Sequence, residues 1–159
     1  MKFLEQFEKY NYKSLLQEDV AKAFQLDISY FLDEKNKKPE ELCDIYISNQ
    51  GDEMFVLLFG DKRDIHTMCN EWDNKVSIFV AFGSENRKVL RKIKYNIIFI
   101  IYWIEDEVKY VILTGSHTIV NWEIAMGKRR KSLFLTLIFR PRERFFAGQQ
   151  LYLLEHELP

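Results

Sequence analysis

The residues best suited to chemistry are few and scattered. His66, His117 and His156 share no HxxxH or HxE setting, and Cys43 and Cys69 lie far apart without CxxC spacing. A zinc site needs three or four ligands converging on one point. Along the chain these residues read as isolated histidines and two structural thiols, with a site assembled in space as the alternative. Glu107-Val108-Lys109 matches the Glu-x-Lys of nucleases that hold a metal between an Asp and a Glu-x-Lys on adjacent strands. The motif has only two fixed residues, and a hairpin turn at the start of the strand already explains both charges. G-x-G-x-x-G, P-loop and G-x-S-x-G patterns are missing. The expectation is a non-enzymatic protein with no catalytic residue, no metal ligand set and no cofactor.

Charge is more informative. Residues 1–86 carry 10 Lys+Arg and 17 Asp+Glu, a net −7, whereas residues 87–159 carry 13 and 7, a net +6. Arg87, Lys88, Arg91, Lys92 and Lys94 share one expected helix, and Lys128, Arg129, Arg130, Lys131, Arg140, Arg142 and Arg144 form a second cluster. Converging on one face, they would neutralise several phosphates and bind nucleic acid in a salt-dependent way. Left apart, they are solvated helix and loop residues. The tail GQQLYLLEHELP holds Gln150, Leu151, Leu153 and Leu154. These resemble the short Gln-Leu-x-Leu-Leu/Phe peptide with which bacterial replication proteins dock on the sliding clamp, two aliphatic anchors entering a pocket while the Gln sets orientation. A terminal strand or helix packed on its own domain is the competing reading.

The elements that must carry these residues follow from periodicity. Phe3, Leu4 and Phe7, then Leu15, Leu16, Val20, Ala23 and Phe24, recur at helical spacing, predicting two short helices parted near Asn11. A polar loop with Pro39 leads to two apolar runs, Asp44 to Ser48 and Met54 to Phe59, flanking Asn49-Gln50-Gly51-Asp52 as a hairpin. The stretch from Asp61 to Asp73 shows no clear period and reads as helix or loop. KVSIFVAFG, Lys75 to Gly83, reads as a strand from its Val, Ile and Phe content. Ser84 is placed to cap a following helix whose Val89, Leu90 and Ile93 face the core. Ile97 to Ile104 is a continuous apolar run, expected as a strand covered on both faces, and KYVILTG returns from the Glu105-Asp106-Glu107 turn as its hairpin partner. SHTIVNWEIAMGKRRK then reads as a helix and LFLTLIFR as the last clear strand. The expected fold is α+β, a mainly antiparallel sheet with helices packed against it. One domain would span 1–159: a helical N-terminal segment over 1–26, a sheet-rich core over 44–140 and a tail over 141–159.

Composition supports that frame. With 159 residues the chain is able to bury roughly 70% of its unfolded surface in one core. At 47% hydrophobic and 30% charged residues it is globular rather than disordered. The 15% aromatic content chiefly supplies core volume. The early acids Glu5, Glu8, Glu18 and Asp19 leave no apolar run of signal-peptide type, and the eight-residue run falls short of the roughly 20 residues a membrane span needs. A cytoplasmic location with no membrane partner is expected.

The segment SENRKVLRKIKYNIIFIIYWI joins a basic helix through Lys94-Tyr95-Asn96 to an apolar strand. It resembles the small middle component of bacterial ABC-ATPase three-component defence systems, the Lamassu-like group. That resemblance implies a non-enzymatic adaptor bridging an SMC-like ATPase and an effector nuclease, and it transfers no site residue. The expected role is therefore an adaptor or accessory subunit of a larger intracellular assembly. Nucleic-acid binding through the two basic clusters is the alternative, and a metal-dependent nuclease the third.

Overall fold

The computed structural model describes residues 2–60, 65–105, 108–115, 142–146 and 149–155. Apolar side chains at every second position generate its sheet. Met54, Val56 and Leu58 of strand β3 (Met54–Phe59) turn to the same side as Ile97, Phe99 and Ile101 of β4 (Ile97–Glu105). In β2 (Leu42–Ile47) the shared face is Leu42, Ile45 and Ile47, an odd spacing. A register shift between Leu42 and Asp44 accounts for it, the extra residue turning Leu42 back to the side of Ile45.

Among the described residues the sheet has seven strands in the order β1-β2-β3-β4-β5-β7-β6. Here β1 is Lys13–Ser14, β5 Val108–Gly115, β6 Arg142–Phe146 and β7 Gln149–Glu155. Only β3 and β4 run parallel, and the other pairs are antiparallel. A parallel pair needs a crossover, and helices α3 (Ile65–Phe82) and α4 (Arg87–Ile93) supply it. The α+β class and the mainly antiparallel sheet are those expected.

Both hairpins form where the sequence places them. The β2–β3 turn is pinned by Ser48, whose hydroxyl donates to the Asp52 carboxylate (2.6 Å) and accepts from the Asp52 and Glu53 amides. Gly51 there has φ +71 and sits against the Phe24 ring, so a side chain would meet both backbone strain and the ring. β4 and β5 pair from Glu105↔Val108 to Ile98↔Gly115, the narrow spacing of a tight turn.

The sheet is covered on two sides. One side carries the main core. Leu15, Ala21 of α2 (Glu18–Ala23), Leu26, Phe31 of the 3₁₀ turn Ile28–Phe31, Cys69, Trp72, Val76 and Phe79 of α3, and Leu90 and Ile93 of α4 all pack there. On the other side Phe7 of α1 (Lys2–Lys9) lies flat on Tyr46 at 4.3 Å and meets Phe55 edge-on. The chain passes between the two sides at the sheet edge, after Asn11 (φ 63) ends α1 and β1 pairs with β2. Ile98 and Ile100 alternate with the core residues of β4 and are buried too, so this part of the strand is covered on both faces as expected.

Two expectations fail. Lys75 to Gly83 is not a strand: Lys75 to Phe82 form the second half of the 18-residue helix α3, and Gly83 follows its end. Cys69, Trp72, Val76 and Phe79 recur at helical spacing and all are buried. Their Val and aromatic content follows from packing onto the sheet, not from membership of it. The cap of α4 is also shifted: Asn86 accepts from the Lys88 amide at 3.1 Å, while the Ser84 hydroxyl accepts from Asn86. The expected helix over SHTIVNWEIAMGKRRK and the strand LFLTLIFR lie outside the described residues.

Candidate functional site

The side chains that stand out lie at the corner between α3 and α4. With Cys69, Trp72, Val76 and Phe79 turned inward, the opposite side of α3 carries Ile78 and Phe82, one turn apart, and Ala81 between them. Ile78 is 49% exposed and Phe82 69%, the most exposed of the large apolar side chains described. Burying a side chain of this size is worth about 1.5–3 kcal/mol, so two neighbours left in water are an energetic resource for binding.

The corner itself is tightly built. Gly83 ends α3 with its amide donating to the Phe79 carbonyl at 2.6 Å, and its own carbonyl accepts from the Asp27 amide at 2.7 Å. A Cβ on Gly83 would lie 2.4 Å from the Phe79 ring and 2.6 Å from the Phe79 carbonyl oxygen. Only glycine lets the chain turn this closely. Three residues further on, Asn86 caps α4 and its side-chain Nδ2 donates to Gln25 Oε1 at 3.0 Å. Phe82 and the first residue of α4 are thus held within one short, anchored loop.

Of the first basic cluster, Arg87, Lys88, Arg91 and Lys92 are all exposed, because Leu90 and Ile93 take the inward side of α4. The Lys92 ammonium donates to the Gln50 carbonyl. Among the described residues no carboxylate lies within ion-pair distance of Arg87, Lys88 or Arg91, whereas Lys22 pairs with Glu18 at 2.6 Å on exposed α2. Lys94 lies over the ring of Tyr95 at 5.3 Å. The anchored loop Gly83 to Asn86 thus joins the apolar end of α3 directly to basic α4.

The other sequence candidates fall elsewhere. Lys128, Arg129, Arg130, Lys131 and Arg140 lie outside the described residues. Arg142 and Arg144 belong to β6, three strands from β4 in the sheet order. Gln150, Leu151, Leu153 and Leu154 belong to β7, whose backbone pairs with β5 on one side and β6 on the other. Glu107 is outside the described residues, and Lys109 pairs with Ile104. The side chains of His66, His117 and His156 are not among those described. No group of three or more His, Cys, Asp or Glu able to hold a metal occurs among the described residues.

Neither cysteine is in a disulfide: Cys43 is half-buried and Cys69 buried. Burial, with a smaller contribution from the Asp73 charge, pushes the Cys69 thiol up to about 11, the opposite of what a nucleophile needs. Tyr46 is pushed up as well, first by burial and then by the Asp44 carboxylate. No helix among the described residues is long and apolar enough to cross a membrane.

Ile78 and Phe82 were hidden from sequence reasoning by the strand reading, which makes alternate residues inward-facing and gives no reason to single out this pair. The signal that finds them is the inward row at positions 69, 72, 76 and 79, from which the outward row follows. No family model matches the chain, and neither a curated protein nor a solved structure matches it.

Proposed function

We propose that this chain is a non-enzymatic adaptor subunit of a larger intracellular assembly, in the manner of the small middle component of an ABC-ATPase defence complex. The observation that carries the reading is the exposed row Ile78, Ala81 and Phe82, one short loop away from cations that have no carboxylate against them among the described residues. An aromatic and aliphatic centre with a polar rim is the composition of protein-binding surfaces. The resemblance over Ser84 to Ile104 supplies the class of assembly, an SMC-like ATPase with an effector nuclease.

The test is purification of the tagged chain from its native host, with partners identified by mass spectrometry. Constant stoichiometry with a protein bearing an ABC-type ATPase motif supports the reading. A chain that elutes alone as a monomer refutes it.

A second reading has its own support, the four exposed cations on α4. If Arg87, Lys88 and Arg91 meet phosphates, log K falls with log salt at a slope of about −3, and charge reversal at Arg87 and Arg91 removes most of it. A salt-independent or undetectable affinity for DNA and RNA excludes this alternative.

A further inference from the structure

We infer that the α3–α4 corner is a docking site for an acidic amphipathic helix of a protein partner, an assignment that rests on the adaptor reading and specifies its surface. Ile78 and Phe82 are spaced one helical turn apart on α3, as are the anchors of an amphipathic helix that would lie along it. Arg87, Lys88 and Arg91 begin five residues beyond Phe82 and lack counter-charges among the described residues, so carboxylates along the flank of the incoming helix complete the site.

Charge and size select this occupant over others. The apolar row exposes on the order of a few hundred Å². That area matches the footprint of one docked helix rather than the ~800 Å² per partner that a second globular copy of the chain would need for a stable interface. It is also narrow for an anionic membrane surface, where the apolar face must sink several ångströms into the acyl boundary. Nucleic acid would use the cations but gain nothing from the aliphatic Ile78. An acidic helix uses both halves of the surface.

The test is fluorescence anisotropy on the full chain with four probes. These are a fluorescein-labelled helical peptide of Leu at i, i+3, i+4 and i+7 with Glu elsewhere, its Lys counterpart, a 20-base-pair DNA duplex, and phosphatidylglycerol vesicles. Binding of the Glu peptide that weakens about tenfold in Phe82→Ser and again in the double variant Arg87→Glu with Arg91→Glu supports the site. Both variants alter exposed residues, and circular dichroism checks that they stay folded. Failure of the Glu peptide to bind, equal binding of the Lys peptide, or indifference to Phe82→Ser overturns the assignment. Tighter binding of the duplex or of vesicles through the same residues overturns it too and gives the surface to that partner. In the native-host purification, a partner retained by both variants sinks this site and leaves the adaptor reading standing, whereas absence of any partner from the unaltered chain sinks the adaptor reading itself.

Discussion

β3 and the second half of α3 are built from nearly the same residues. MFVLLF makes a strand and VSIFVAF makes two turns of helix. In β3 five consecutive residues, Met54 to Leu58, are buried, because β2 and β4 flank the strand and both faces of the sheet are covered. In α3 Val76 and Phe79 are buried while Ile78, Ala81 and Phe82 face water. A strand needs neighbours on both edges to satisfy its backbone, so its place in the middle of a sheet buries it from every direction. A helix satisfies its backbone internally and is free to rest on the sheet with one side outward. The contrast shows how one apolar composition yields core in one place and an exposed contact surface in another.

The sharpest way to break the comparison is at Phe79, buried and 4.7 Å from the Phe31 ring. Phe79→Ala is expected to cost about 3–5 kcal/mol in urea unfolding; a loss below 1 kcal/mol would mean that the inward row of α3 is misassigned. Cys69, in the same row, gives a pH test. Its thiol is raised from 9.0 to about 11. The stabilising contribution of the buried neutral form is therefore complete below pH 9 and declines as pH rises toward 11, by at most about 2–3 kcal/mol. Unfolding midpoints of the parent chain and Cys69→Ala, followed from pH 8 to 11, should diverge in slope, with the variant flatter.

Gly83→Ala, which forces a Cβ onto the Phe79 ring and carbonyl, should destabilise by about 1–3 kcal/mol and loosen the corner that joins the inward and outward rows. Asn86→Ala should cost about 1 kcal/mol and Ser84→Ala less; the reverse order would restore Ser84 as the cap of α4. Phe82→Ser should change stability by less than about 0.5 kcal/mol while weakening binding of the Glu peptide about tenfold, which separates the contact surface from the core.

Much of the sheet was legible in the chain. The runs at Met54 to Phe59 and Ile97 to Ile104 are apolar without interruption, and polar turn residues separate each from its antiparallel partner, so strand identity and hairpin pairing follow from local pattern alone. The inward residues Leu90 and Ile93 were legible for the same reason, three apart in an otherwise basic segment. The reading failed at 75–83 because Val, Ile and Phe there satisfy strand propensity, and the helical row becomes visible only when Cys69 and Trp72 are counted with Val76 and Phe79. Of the candidate site, the basic half was found in the sequence and the apolar half was not, since an exposed Phe has no local signature.

The sequence by itself determined the α+β class, the two hairpins and the basic helix, each of which depends on contacts or turn chemistry within a few residues. Only the tertiary structure decided that residues 65–82 are one helix, that β3 and β4 lie side by side in parallel, and which side of α3 faces water. Those choices rest on burial against Phe31, Leu90 and the sheet, partners distant in the chain, whose packing outweighs the intrinsic preference of any single residue.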